Sequence, residues 1–222
     1  MNKLLIRIMV LVLGIGAIFF TTRDLYASIG NVIIQEGESL IERKIGEDVA
    51  SEVDLDIFSY DTIRTAKSKT AIEFIDTTRV DVTEHSKLVI DEFVYDPNKK
   101  TGKLSLKASL GTVRYASGQI AKNNPTSIKI TTPTATIGVR GTDFSMTVDE
   151  LGSSTIILLP SCDTNGNCYV GEISVESDAG QVILSQAFQA TVVDTVSSTP
   201  MKPVILGPVS YTHLTLPTIF RV

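Results

Sequence analysis

Residues 104–115 read LSLKASLGTVRY, and their alternation decides the fold class. Leu104, Leu106, Ala108 and Leu110 recur at every second position, and Val113 and Tyr115 resume the rhythm beyond Gly111. A period of two places each apolar set on one face of an extended strand and the intervening Ser, Lys and Arg residues on the other. An amphipathic helix would instead repeat its apolar residues every third or fourth position.

The same rhythm extends in both directions. Ile72 and Phe74, Val80 and Val82, and Leu88 and Ile90 precede the decisive run. Ile128 and Ile130 follow it, then Phe144, Met146 and Val148, then Thr155, Ile157 and Leu159. Ile173 with Val175 and Val182 with Leu184 complete the series. Turn formers separate these sets: Asp96-Pro97-Asn98, Ser117-Gly118, Asn123-Asn124-Pro125, Glu150-Leu151-Gly152, Asn165-Gly166 and Asp178-Ala179-Gly180. Short strands at such intervals predict an all-β domain, solenoid-like or sandwich-like, with at most one short helix. The one stretch with a helical rhythm is Gly37–Ala50, where Leu40, Ile41, Ile45 and Val49 suit a short helix or a strand pair equally. Gly30-Asn31-Val32, Gly111-Thr112-Val113 and Gly171-Glu172-Ile173 each open a strand with a glycine, and IRTAKSKTAI (63–72) echoes ITTPTATI (130–137). Their irregular spacing reads as shared corner geometry, not as a repeat array.

The flanks read differently. Lys3 and Arg7 precede an uncharged apolar run, Ile8–Phe20, which is short for a span that takes about 20 residues. With Ala27 as a cleavage point, residues 1–27 are expected to be a secretion signal, cleaved or kept as an anchor. Residues 28–196 form the expected domain and 197–222 a flexible tail, since Ser197–Pro208 carries three prolines. Residues 209–222, VSYTHLTLPTIFRV, resemble translated sequencing-adapter read-through, so His213 enters no functional argument.

Composition removes several functions. The chain of 222 residues carries a net charge of −5. Without Lys3, Arg7, Arg23, Asp24 and Arg221, 16 basic residues face 24 acidic ones, a balance that repels phosphate backbones and argues against nucleic acid. His85 stands in the polar turn Glu84-His85-Ser86, a poor place for a catalytic base, and no GxSxG, HExxH or P-loop occurs. Tryptophan is absent and aromatics make up 6%, which leaves little surface for stacking sugars. No catalytic residue, metal site or cofactor is therefore expected.

Cys162 and Cys168 bracket DTNGN. Outside the cytoplasm this pair reads as a disulfide pinning a hairpin tip. Asp163, Asn165 and Asn167 imitate the first ligands of a calcium loop, but Cys168 and Ser174 stand where its glycine and final glutamate belong.

Thr132-Pro133-Thr134-Ala135-Thr136-Ile137-Gly138-Val139-Arg140-Gly141-Thr142-Asp143-Phe144 resembles the signature of FecR-like domains. Asp61-Thr62-Ile63-Arg64-Thr65-Ala66, Ala71-Ile72-Glu73-Phe74, Ser86-Lys87-Leu88 and Gly111-Thr112-Val113-Arg114 stand in the family's order. The likeness spans about Asp61 to Val148 and extends more loosely to Val193. Ser59-Tyr60 and Asp76-Thr77-Thr78 depart from it, because relatives carry glycine there, and this puts the local turn shape in question. Within the signature, Gly138 and Gly141 are expected at tight corners, and Pro133 at an edge or strand start. Arg140 and Asp143 are expected to pair across the turn, with Arg140 contacting a partner as the alternative.

The resemblance implies a periplasmic domain that takes a signal by contact with an outer-membrane transporter and relays it to a cytoplasmic segment controlling a sigma factor. Only about seven residues precede the apolar run here, so the sensor is expected without the output. The expectation is an exported, periplasmic or surface protein that meets an envelope protein or surface polymer through strand edges and loops, away from nucleic acid and, after signal cleavage, from the membrane. A structural or adhesive surface protein is the alternative.

Overall fold

The computed structural model describes residues 27–163 and 165–207. The expected signal segment up to Tyr26, the tail from Pro208 and His213 lie outside the described residues. Among those residues the strands are β1 (Gly30–Glu36), β2 (Ser39–Glu42), β3 (Val49–Ala50), β4 (Asp56–Ile57), β5 (Thr62–Thr65) and β6 (Lys69–Phe74). There follow β7 (Arg79–Val82), β8 (Lys87–Asp96), β9 (Thr101–Ala116), β10 (Ile128–Thr131), β11 (Thr136–Arg140) and β12 (Asp143–Val148). The last are β13 (Ser154–Leu159), β14 (Ser161–Cys162), β15 (Cys168–Tyr169), β16 (Glu172–Ser177), β17 (Gly180–Leu184), β18 (Gln189–Val193) and β19 (Val204–Ile205). A five-residue helix, α1 (Gln119–Asn123), and a 3-10 turn (Pro125–Ser127) are the helical elements among them. Among the described residues no helix is long and apolar enough to cross a membrane.

The pairings resolve into two sheets joined through one strand. The first runs β3-β2-β5-β8-β9-β10-β11-β16-β17. The second runs β4-β1-β6-β7-β9-β12-β13-β18-β19. All are antiparallel except β9 with β10. Residues 104–115 therefore belong to both layers: Leu104, Leu106 and Ala108 face the core from the first sheet, and Val113 and Tyr115 from the second. The slip of one residue between Leu110 and Val113 marks the crossing, at Gly111 with φ 80°. A Cβ there would stand 2.1 Å from Ser86 Oγ and 2.6 Å from Ser86 Cα, so glycine is required by both angle and space. Inward residues of both sheets, including Ile72, Val80, Leu106, Ile130, Phe144 and Val175, fill one core.

The undecided segment Gly37–Ala50 is a strand pair, β2 with β3, because Ile41 must enter the core beside Ile63. The helix forms elsewhere, between the two turns expected around 117 and 125. In β13 the core face is Ser154, Ile156 and Leu158, one residue out of phase with the expected Thr155, Ile157 and Leu159. The run TIILL is nearly all apolar, so its alternation is ambiguous, and pairing with Met146 and Phe144 sets the register. Part of the expected flexible tail is packed: Thr191 Oγ1 donates to Met201 O, Ser177 Oγ to Ser198 O, and β19 pairs with β18.

Two ridges of corners close the sandwich. One is lined by hydroxyls. Ser39 Oγ lies 2.8 Å from both Ser68 Oγ and Thr70 Oγ1. Ser86 N donates to Thr65 Oγ1, and Thr112 N to Ser86 Oγ. Ser154 Oγ bridges Thr132 and Thr134 at 2.8 and 2.7 Å. These hydroxyls satisfy polar groups that buried turns would leave open, which explains the threonine-rich echo of 63–72 in 130–137. The opposite ridge is held by aspartates. Asp61 accepts from Phe58 N at 2.9 Å and pairs with Arg43. Burial outweighs these partners and raises the Asp61 carboxyl above its ordinary value. Fully buried Asp76 accepts from Thr78 N, Thr78 Oγ1 and Ile120 N.

Candidate interaction surface

The signature residues divide by role. Thr132 Oγ1 accepts from Ala135 N at 3.0 Å, and Thr132 N donates to Ala135 O, closing the turn that contains Pro133 between β10 and β11. Pro133 thus precedes the strand. Gly138 is not at a corner: it lies inside β11, where a Cβ would meet Ser174 Oγ at 2.7 Å. Gly141 is the corner, with φ 60°, and carries the chain from β11 in one sheet to β12 in the other. Thr142 is buried, its hydroxyl donating to Leu159 O and its carbonyl accepting from Ser117 Oγ. Phe144 packs in the core with its ring 5.3 Å from that of Tyr115.

Arg140 and Asp143 do not pair. Arg140 Nη1 donates to Glu172 Oε1 at 2.8 Å on the solvent face of the first sheet, with its side chain 66% exposed. Asp143 turns the other way and accepts from Ser161 Oγ at 2.7 Å and Ser117 N at 3.3 Å, with Arg114 at 3.8 Å. Gly141 is the reason, since the sheet change points the two side chains apart. The fold-holding member of this pair is Asp143. Arg140 stays at the surface.

Two family departures keep the turns that glycine would make. Tyr60 and Thr77 adopt φ 73° and 65°, the left-handed region L residues resist. Asp61 and Asp76, hydrogen-bonded beside them, hold those turns. A charge-rich neighbour, Lys44, sits 3.8 Å over the Tyr60 ring.

Cys162 and Cys168 form a disulfide across the β14–β15 hairpin. Asp163 accepts from Asn165 N and Asn167 N at 2.9 Å and from Asn167 Nδ2 at 3.1 Å. These donors, the Asn167 side chain foremost, hold its carboxyl below the usual range. Its oxygens therefore shape the turn. His85 is exposed in a left-handed turn, and its ring makes no hydrogen bond among the described residues.

Among the described residues, the surfaces open to a partner include the ends of the sheets and a cleft. β3 and β17 end the first sheet, and β4 and β19 the second. β3, β4 and β19 are two residues long, whereas β17 offers five, with Ile183 exposed on its outer face. Met201, Val204 and Ile205 add exposed apolar surface at the same end of the sandwich. A cleft of about 500 Å³ lies at the opposite end, lined by Glu38, Ser39, Leu40, Ser51 and Arg64. Val182 and Leu184 marked β17 in the sequence, but its place at a sheet edge and the cleft, both set by segments meeting only in space, left no local signal.

The described residues thus form a two-sheet β sandwich with a shared strand and hydroxyl-lined corners. Residues 61–159 match the family model described as FecR protein. Among solved structures, a candidate anti-sigma factor from Parabacteroides distasonis at 1.65 Å resolution resembles it with a TM-score of 0.50 and 9% identity. That alignment covers 70% of this chain and 65% of the other, so the chain spans somewhat less than two thirds of that protein's length. A second structure described in the same words, at 2.50 Å resolution, aligns with a TM-score of 0.47 and 10% identity over 66% and 61% of the two chains. No curated protein matches.

Proposed function

We propose that this protein is an exported, non-enzymatic FecR-type interaction module that works by protein–protein contact in the bacterial envelope. The observation that carries the reading is the open edge of β17, where unpaired backbone groups beside Ile183 offer hydrogen bonds to a strand of a partner. The FecR domain supports a sensor-type role, and the Cys162–Cys168 disulfide supports an oxidising compartment. A sandwich whose buried polar groups serve its own corners has binding surface to offer and little chemistry.

The test is capture of envelope proteins on the purified chain, alongside Ile183→Lys. One stoichiometric partner, lost when lysine blunts the edge, supports the reading. Retention of the protein in cell-surface fractions with no partner makes it a structural or adhesive protein instead. Two reactive thiols in the folded chain isolated from cells would remove the exported compartment from the account.

A further inference from the structure

On the solvent face of the first sheet, Lys87, Lys107, Lys129 and Arg140 occupy four successive strands, β8, β9, β10 and β11. The register arranges them in a line. Lys129 pairs with Ser105 and with Gly138, so it stands two residues from Lys107 along β9 and two from Arg140 along β11. Val89 pairs with Lys107 and, across a register shift, Lys87 pairs with Leu110, three residues from Lys107 along β9 on the other side. The steps from Lys107 to Lys129 and from Lys129 to Arg140 each move one strand across and two residues along, a diagonal separation of about 7–8 Å, and the bulged step to Lys87 extends the row in the same direction. The parallel pairing of β9 and β10 keeps the line straight.

Three of the four cations on this line are unpaired in a chain whose net charge is −5. Among the described residues Lys87, Lys107 and Lys129 make no ion pair. Of the nearby acids, Asp91 accepts from Ser105 Oγ, Glu92 pairs with Lys103, and Glu172 pairs with Arg140 at the end of the line. Gly138 and Ser174 leave the surface low beyond Lys129.

We infer that this diagonal binds an extended acidic segment of a partner protein, one carrying carboxylates at every second residue. Same-face side chains of an extended strand repeat every two residues, about 6.6–6.8 Å, close to the cation spacing. Consecutive carboxylates would point alternately away from the sheet, so the line selects an alternating pattern. The inference rests on the protein-contact reading and names a second surface for it, distinct from the β17 edge.

A labelled peptide of Glu-Thr repeats, titrated into the full chain by fluorescence anisotropy, tests it. Binding is expected, weakening with salt as surface charges are screened over about 8 Å at physiological ionic strength. Lys107→Glu with Lys129→Glu is expected to weaken it by about tenfold or more, and Lys122→Glu with Lys202→Glu to leave it unchanged. A Lys-Thr peptide binding the Lys107→Glu, Lys129→Glu chain in place of the Glu-Thr one would support the diagonal and show that the chain still folds. The proposal is overturned if a peptide of the same composition with contiguous glutamates binds equally, if polygalacturonate or anionic phospholipid vesicles bind in preference, or if charge reversal changes nothing. If the envelope partner is captured equally by the reversed chain, the diagonal is wrong and the protein-contact reading stands. If the unmodified chain captures none, that reading falls.

Discussion

Replacing Asp76 tests how the sandwich closes its aspartate ridge. The residue is fully buried in the β6–β7 turn and reaches across 44 positions to the start of α1. Its carbonyl accepts from Gln119 N at 2.8 Å, and its Oδ2 from Ile120 N at 3.2 Å and Thr78 Oγ1 at 2.8 Å. Oδ1 accepts from Thr78 N at 3.1 Å. The helix N-cap is Gly118, which has no side chain to offer, so Asp76 satisfies amides that a capping Ser or Asp would otherwise take. Gly118 cannot be exchanged for such a residue, because a Cβ would meet Thr78 N at 2.3 Å and Asp76 O at 2.5 Å.

Asp76→Ala leaves two buried amides without acceptors, at about 1–3 kcal/mol each, for a loss of roughly 2–6 kcal/mol while the Thr78 hydroxyl re-aims. Asp76→Asn keeps one acceptor oxygen, and either amide orientation still abandons one N–H, so its loss is about 1–3 kcal/mol. Urea unfolding followed by far-UV circular dichroism measures both, the absence of tryptophan making fluorescence the weaker probe. A midpoint unchanged in the alanine variant, or equal losses in the two, would refute the assignment of Asp76 as a remote helix cap.

Three further outcomes follow from the same geometry. Tyr115 is buried with Ser117 and Thr78 beside its hydroxyl, neither in hydrogen-bonding geometry, and burial with the Asp76 and Asp143 charges holds its phenol above the ordinary value of 10. The folded state therefore keeps the proton, and the stability this confers is present below that value and lost as pH rises toward the folded one. Alkaline difference spectra should show phenolate appearing at Tyr115 only as the chain unfolds, and Tyr115→Phe should be neutral or stabilising by about 1 kcal/mol at pH 7. Arg140→Met should cost less than about 1 kcal/mol, as for exposed ion pairs; a loss of several in the same urea titration would restore a fold-holding role. Thr77→Gly should gain about 0.5–1 kcal/mol, since relief of a left-handed residue, about 1–2 kcal/mol, exceeds the added chain entropy, about 0.5–1. A lowered urea midpoint would show that turn to be unstrained.

The strands were legible because alternation is local: Leu104 to Tyr115 announces its two faces without reference to any other segment. The corner threonines, the hairpin cysteines and the FecR signature were legible for the same reason, as short patterns carrying their own geometry. Misreadings arose where the local pattern was degenerate, as in the uniformly apolar TIILL of β13, or where nearness in sequence stood in for nearness in space. Arg140 and Asp143 are three residues apart, yet the turn at Gly141 sends them to opposite surroundings, and Glu172, 32 residues on, becomes the partner.

What the amino-acid order determined by itself was which residues extend, which turn, and which side of each strand is apolar, since backbone sterics and side-chain period act within a few residues. What only the tertiary structure decided was which strands neighbour one another and in what register. That choice assigned Asp76 to Ile120, left Tyr115 without a hydrogen-bond partner and lined up Lys87, Lys107, Lys129 and Arg140, because hydrogen-bonded pairing and a shared core couple positions that the chain itself keeps far apart.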